Sequence, residues 1–73
     1  MPALSVERGT VAEFDDARGL GTVESGGRAY PFHCTQISDG SRTIAVGTEV
    51  TFEVTAGRLG RWEATAITPA PTT

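Results

Sequence analysis

The sequence predicts a small all-β domain of five short antiparallel strands curled into a barrel. Three observations predict it. The chain has 73 residues, enough for one core and one domain. Its apolar residues alternate with polar ones at the period of strands, and no stretch carries a helical stripe. Turn residues, nine glycines among them, punctuate short runs of β-branched and aromatic residues.

The first strand is expected over Arg8 to Phe14, stopped by the turn cluster Asp15-Asp16-Ala17-Arg18-Gly19. Leu20 to Glu24 and Arg28 to His33 form the second and third, joined by the hairpin loop Ser25-Gly26-Gly27. Period two places Tyr30 and Phe32 inward and Pro31 and His33 outward. A proline inside a paired strand forfeits a ladder hydrogen bond, so Pro31 marks an edge or a bulge. From Thr35 to Gly47 the pattern loses its period, as in a long surface loop with one helical turn near Thr35 to Ile37.

Thr48 to Thr55 alternates strictly, with Val50, Phe52 and Val54 inward and Glu49, Thr51 and Glu53 outward. After the turn Ala56 to Gly60, the fifth strand runs from Arg61 to Thr68. If regular, it points Ile67 inward and Trp62, Ala64 and Ala66 to the other face; a bulge would reverse that. Residues 1–6 are expected to be a flexible segment, 7–68 the folded domain and 69–73 a disordered tail that frays. The expected core is Val11, Val23, Tyr30, Phe32, Val50, Phe52, Val54 and Ile67. Strands this short bury their apolar face only by closing on themselves, and periodicity alone fits OB and SH3-like barrels equally.

Composition narrows the function. Nine acidic residues against six arginines leave a net charge of -3, so any nucleic-acid binding is local and not driven by a bulk field. One cysteine excludes an internal disulfide and suits a reducing cytoplasm. The N-terminal residues lack a basic segment followed by an apolar run, and nothing approaches the roughly 20 apolar residues of a membrane span. His33 and Cys34 are neighbours on a strand, point to opposite faces and have no second His or Cys to complete a zinc site. No nucleophile, base and orienter set is visible either, so neither a metal, a cofactor nor an enzymatic activity is expected. Gly19-Leu20-Gly21 is not followed by a helix and is read as strand entry, with Gly21 permitting close approach at the open sheet surface.

Gly9-Thr10-Val11-x-x-Phe14 followed by Arg18-Gly19-Leu20-Gly21-Thr22-Val23 resembles the opening of bacterial cold-shock proteins, G-x-V-K-W-F-N-x-x-K-G-F-G-F-I, without a gap. Tyr30-Pro31-Phe32-His33-Cys34-Thr35-Gln36-Ile37 is similar to the family's V-F-V-H-F-S-A-I, and Gly47 to Val54 to its fourth strand, G-x-x-V-x-F-x-V. The resemblance covers Gly9 to Ile67 and implies a five-stranded antiparallel OB-fold barrel. It also implies single-stranded nucleic-acid binding, in which aromatic side chains on the first three strands stack with successive bases, each stack worth about 1 to 3 kcal/mol. The sequence departs from the family at those positions. Glu13 replaces the tryptophan, Leu20 and Thr22 replace two phenylalanines, and Pro31 and Cys34 stand where phenylalanines belong.

The binding surface that the resemblance implies therefore comprises Phe14, Arg18, Leu20, Thr22, Pro31 and His33, with most of its stacking area gone. Trp62 is new aromatic area. Its type favours burial over the barrel end, whereas exposure beside Arg58 and Arg61 would make it a replacement stacking platform. Two functions follow: a monomeric module that binds single-stranded RNA or DNA weakly, or a cold-shock fold reassigned to a protein partner through the acidified first strand (Glu13, Asp15, Asp16) and Trp62. The position of Trp62 relative to His33 discriminates them, a shared face favouring nucleic acid.

Overall fold

The computed structural model describes residues 6–57 and 61–70. It contains β1 (Val6–Asp15), β2 (Leu20–Ser25), β3 (Arg28–His33), a single 3-10 turn (Cys34–Gln36), β4 (Glu49–Ala56) and β5 (Trp62–Pro69). The strands form one antiparallel sheet in the order β3-β2-β1-β4-β5. The expected strands are all present, with ends displaced by at most two residues. Of the flexible segment and tail expected at 1–6 and 69–73, residues 1–5 and 71–73 lie outside the described residues. Val6 and Pro69 are paired in strands, and the Ala70 N–H donates to the Glu49 carbonyl at 2.8 Å.

β1 is shared between two neighbours, and this curls the sheet. Its first half, Val6 to Thr10, pairs with β4, and its second half, Thr10 to Asp15, with β2. Gly9 lies where the strand passes between them: a Cβ there would come within 2.6 Å of the Glu24 carbonyl oxygen and 2.7 Å of Val23 Cγ1. Only glycine fits without moving backbone. The register then slips between Val11 and Glu13, an extra residue that bends the strand and turns both Val11 and Phe14 to the inner side.

A second slip lies between Thr51 and Glu53 of β4, opposite Thr68 and Thr65, so the surplus residue is on β5. Ala66 sits in it at φ 52°, a left-handed conformation unusual for a residue with a Cβ. This bulge corrects the regular-strand expectation: Ala64 and Ile67 both face the core and are buried, while Ala66 is exposed. Val11, Val23, Phe32, Val50 and Phe52 join them as expected. Ile37, the residue after the 3-10 turn, is an addition to the expected core, whereas Tyr30 and Val54 pack against the core only partly buried.

The barrel is nearly closed: among the described residues, no hydrogen-bonded ladder joins the two edge strands. β3 and β5 lie alongside each other without a ladder. The segment after β3 plugs the gap instead: Ile37 bridges Ile67 in parallel, and the Ser38 N–H donates to the Ile67 carbonyl at 2.8 Å. The physical reason lies in two residues, since Pro31 has no amide to offer and the Ala66 bulge breaks the repeat of β5.

In the loop before β4, Asp39 accepts the Ser41 N–H at 2.8 Å, and this bond, with a further one from the Ser41 side chain, holds its carboxyl below the ordinary aspartate range. A lowered folded-state pKa means that the contribution is complete above the unfolded aspartate value and is lost as pH falls through the folded one. Asp39→Asn is therefore expected to lower stability slightly at neutral pH, where the contribution is complete, and to flatten the acid limb of a stability–pH curve below about pH 4, where it is already lost in the natural chain. An acid limb superimposable on that of the natural chain would contradict this.

Candidate functional site

Cross-strand register fixes which side chains share the outer face. Glu13, Thr22 and Pro31 are opposite one another on β1, β2 and β3, and Asp15, Leu20 and His33 form the next row. Opposed side chains on one face lie about 5 Å apart at Cβ, so these six make one continuous patch. Leu20, Pro31 and His33 are exposed and Thr22 is half-buried. Together with Arg18 from the β1–β2 turn they line a single open cleft, which Glu13, Asp15 and Glu63 also border.

The turn that presents Arg18 is built by Asp15, whose Oδ1 accepts the N–H groups of Ala17 and Arg18 at 3.0 and 3.2 Å. Asp15 is thus a turn former as well as a surface charge. His33 is held by the 3-10 segment it precedes: Nδ1 lies 3.3 Å from the Thr35 N–H, which donates to it, and 2.9 Å from Thr35 Oγ1. With Nδ1 accepting, the ring proton is assigned to Nε2, which offers the cleft one donor.

Phe14 differs from the other candidates. Its ring lies on the inner side, stacked on Phe32 with centroids 5.9 Å apart and planes 11° apart. Gly21 lies between the strands that carry them, and a Cβ there would meet the Phe32 ring at 2.5 Å. The close approach expected at Gly21 is therefore to a core ring, not to the outer surface. Phe14, Gly21 and Phe32 all border the cleft. Cys34, at the position of a family phenylalanine, is half-buried and packs against the core.

Trp62 is 55% exposed, which corrects the expectation that it packs over the barrel end. It lines a second cleft, between β3 and β5, with Arg28, Ala29, Tyr30, Pro31 and Arg61. Pro31 belongs to both clefts, so His33 and Trp62 are parts of one connected surface. Arg58 lies outside the described residues. Arg28 and Tyr30 were not singled out from the sequence, because their nearness to Trp62 depends on β3 approaching β5 without pairing. The one available signal was Arg28 beside the Gly26-Gly27 turn, an exposed cation at a hairpin end.

Residues 7–70 match the family model described as the 'Cold-shock' DNA-binding domain. The chain is 46% identical over 55 residues to the cold shock-like protein CspA of Stigmatella aurantiaca (strain DW4/3-1), covering 71% of this chain and 81% of that protein. Among solved structures it superposes on drosophila Unr CSD456 with a TM-score of 0.78 at 31% identity, over 94% of this chain. It spans 28% of the length of that fly chain. No helix among the described residues is long and apolar enough to cross a membrane.

Proposed function

The chain belongs to the cold-shock DNA-binding domain family, and from that premise we propose that it is a monomeric, non-enzymatic module that binds single-stranded nucleic acid with reduced affinity. The observation that carries this reading is the connected surface from His33 through Pro31 to Trp62: apolar faces that accept bases lie beside Arg18, Arg28 and Arg61. Leu20, Thr22 and Pro31 offer contact area but no ring for π-stacking, so the large per-base contribution of aromatic platforms is missing on β1 to β3. Three carboxylates around the His33 cleft repel phosphates and lower affinity further.

The test is a fluorescence-anisotropy titration of an end-labelled oligothymidine at low and at physiological salt. A dissociation constant of about micromolar or weaker in physiological salt is expected, tightening steeply as salt is lowered. Nanomolar binding in physiological salt would refute the reduced-affinity reading. A complete absence of binding at low salt would instead give precedence to a protein partner at the acidic strand-one face.

A further inference from the structure

The two clefts that share Pro31 differ in charge. Around the His33 cleft, Glu13, Asp15 and Glu63 outnumber Arg18. The cleft between β3 and β5 is lined by Arg28 and Arg61 with the rings of Tyr30 and Trp62, and a neighbouring carboxylate, Glu7, borders the adjoining side of Arg28, Tyr30 and Trp62, so cations outnumber anions there. A polyanion that passes the first meets net repulsion, and one that enters the second meets two guanidinium groups, each a planar donor fork suited to phosphate oxygens.

The cleft is also held in place. Tyr30 is anchored to the core by its ring, 5.5 Å from that of Phe52. Arg28 begins β3 opposite Ser25, directly after the hairpin turn. Arg61 precedes β5, and its carbonyl accepts the Gly57 N–H at 2.5 Å, pinning the two ends of the β4–β5 connection together. Trp62 is 55% exposed, whereas Ala64 and Ile67 of the same strand are buried in the core. An exposed indole flanked by two arginines at an unpaired seam is a stacking surface for a π-system that carries negative charge alongside it.

We propose that a bound single strand leaves the β2–β3 face at Pro31 and enters the β3–β5 cleft, where one base stacks on Trp62 and the neighbouring phosphates meet Arg28 and Arg61. This inference rests on the single-strand-binding reading and fixes the strand's path. The acidified first strand then bars the alternative path along β1. Tyr30 serves as the floor of the cleft.

The experiment follows Trp62 emission and the anisotropy of end-labelled oligothymidine together, for the natural chain and for Arg28→Ala, Arg61→Ala and Trp62→Ala, each checked for folding by circular dichroism. Oligothymidine is expected to quench Trp62. Each arginine variant is expected to bind roughly three- to tenfold more weakly at low salt, with a salt slope smaller by about 0.7, the value of one phosphate on a single strand. Trp62→Ala should weaken binding about tenfold with the salt slope unchanged, the signature of a lost stack. If the natural chain binds but emission, affinity and slope are all indifferent to these changes, the path through this cleft is overturned while nucleic-acid binding stands. If the natural chain fails to bind at low salt, both fall together.

Discussion

Phe52→Ala is expected to destabilise the domain by about 3 to 5 kcal/mol, the usual cost of truncating a fully buried phenylalanine. Phe52 is 1% exposed, touches the Tyr30 ring and lies on β4, the strand that pairs with both β1 and β5. A domain of this size has total stability on the order of 4 to 10 kcal/mol, so the variant should lose roughly a third or more of it. Phe52→Leu, which keeps most of the volume, is expected to cost less than about 1.5 kcal/mol. Chemical denaturation followed by circular dichroism measures both, and a loss below about 0.5 kcal/mol for Phe52→Ala would mean that the ring is not a core element.

The second large effect concerns affinity. The combined variant Glu13→Trp, Leu20→Phe, Thr22→Phe is expected to bind oligothymidine at least about tenfold more tightly than the natural chain, a gain of about 1.4 kcal/mol or more. Glu13 and Thr22 are opposite each other, and Leu20 lies in the adjoining row of the same outer face, so the three new rings would form one platform without disturbing the core. Glu13→Gln alone separates the two contributions: it removes the charge without adding a ring, and should deliver only a small part of the gain. In the combined variant the strand gains a path along β1, so Arg28→Ala and Arg61→Ala should matter less than in the natural chain. Unchanged affinity on adding three rings would show that this face is not where bases lie.

The sequence made the strands legible because their signals are local. Strict alternation in β4 and the Gly26-Gly27 turn before Arg28 located β4, β2 and β3 to within a residue or two. The motif spacing from Gly9 to Ile37 pointed to the family. What stayed hidden was set by long-range geometry. The surplus residue in β5 is unmarked, because Ala66 adopts φ 52° where sequence would suggest glycine or asparagine. Ala64 therefore could not be assigned to the core. The burial of Ile37 depends on its bridge to Ile67, thirty positions away by chain numbering. For the site, the outward placement of Pro31 and His33 followed from period two, whereas the union of Arg28 with Trp62 required the approach of the two edges of the sheet.

The unpaired seam between β3 and β5 also bears on how the protein behaves in a crowded solution. An open sheet edge normally invites another chain to add a strand, and that is a route to swapped dimers and fibres. Here one edge has Pro31 near the middle of β3, without an amide, and the other breaks its repeat at the Ala66 bulge. Neither edge offers an unbroken row of donors and acceptors. The opening between β3 and β5 is thereby a poor template for a further polypeptide strand.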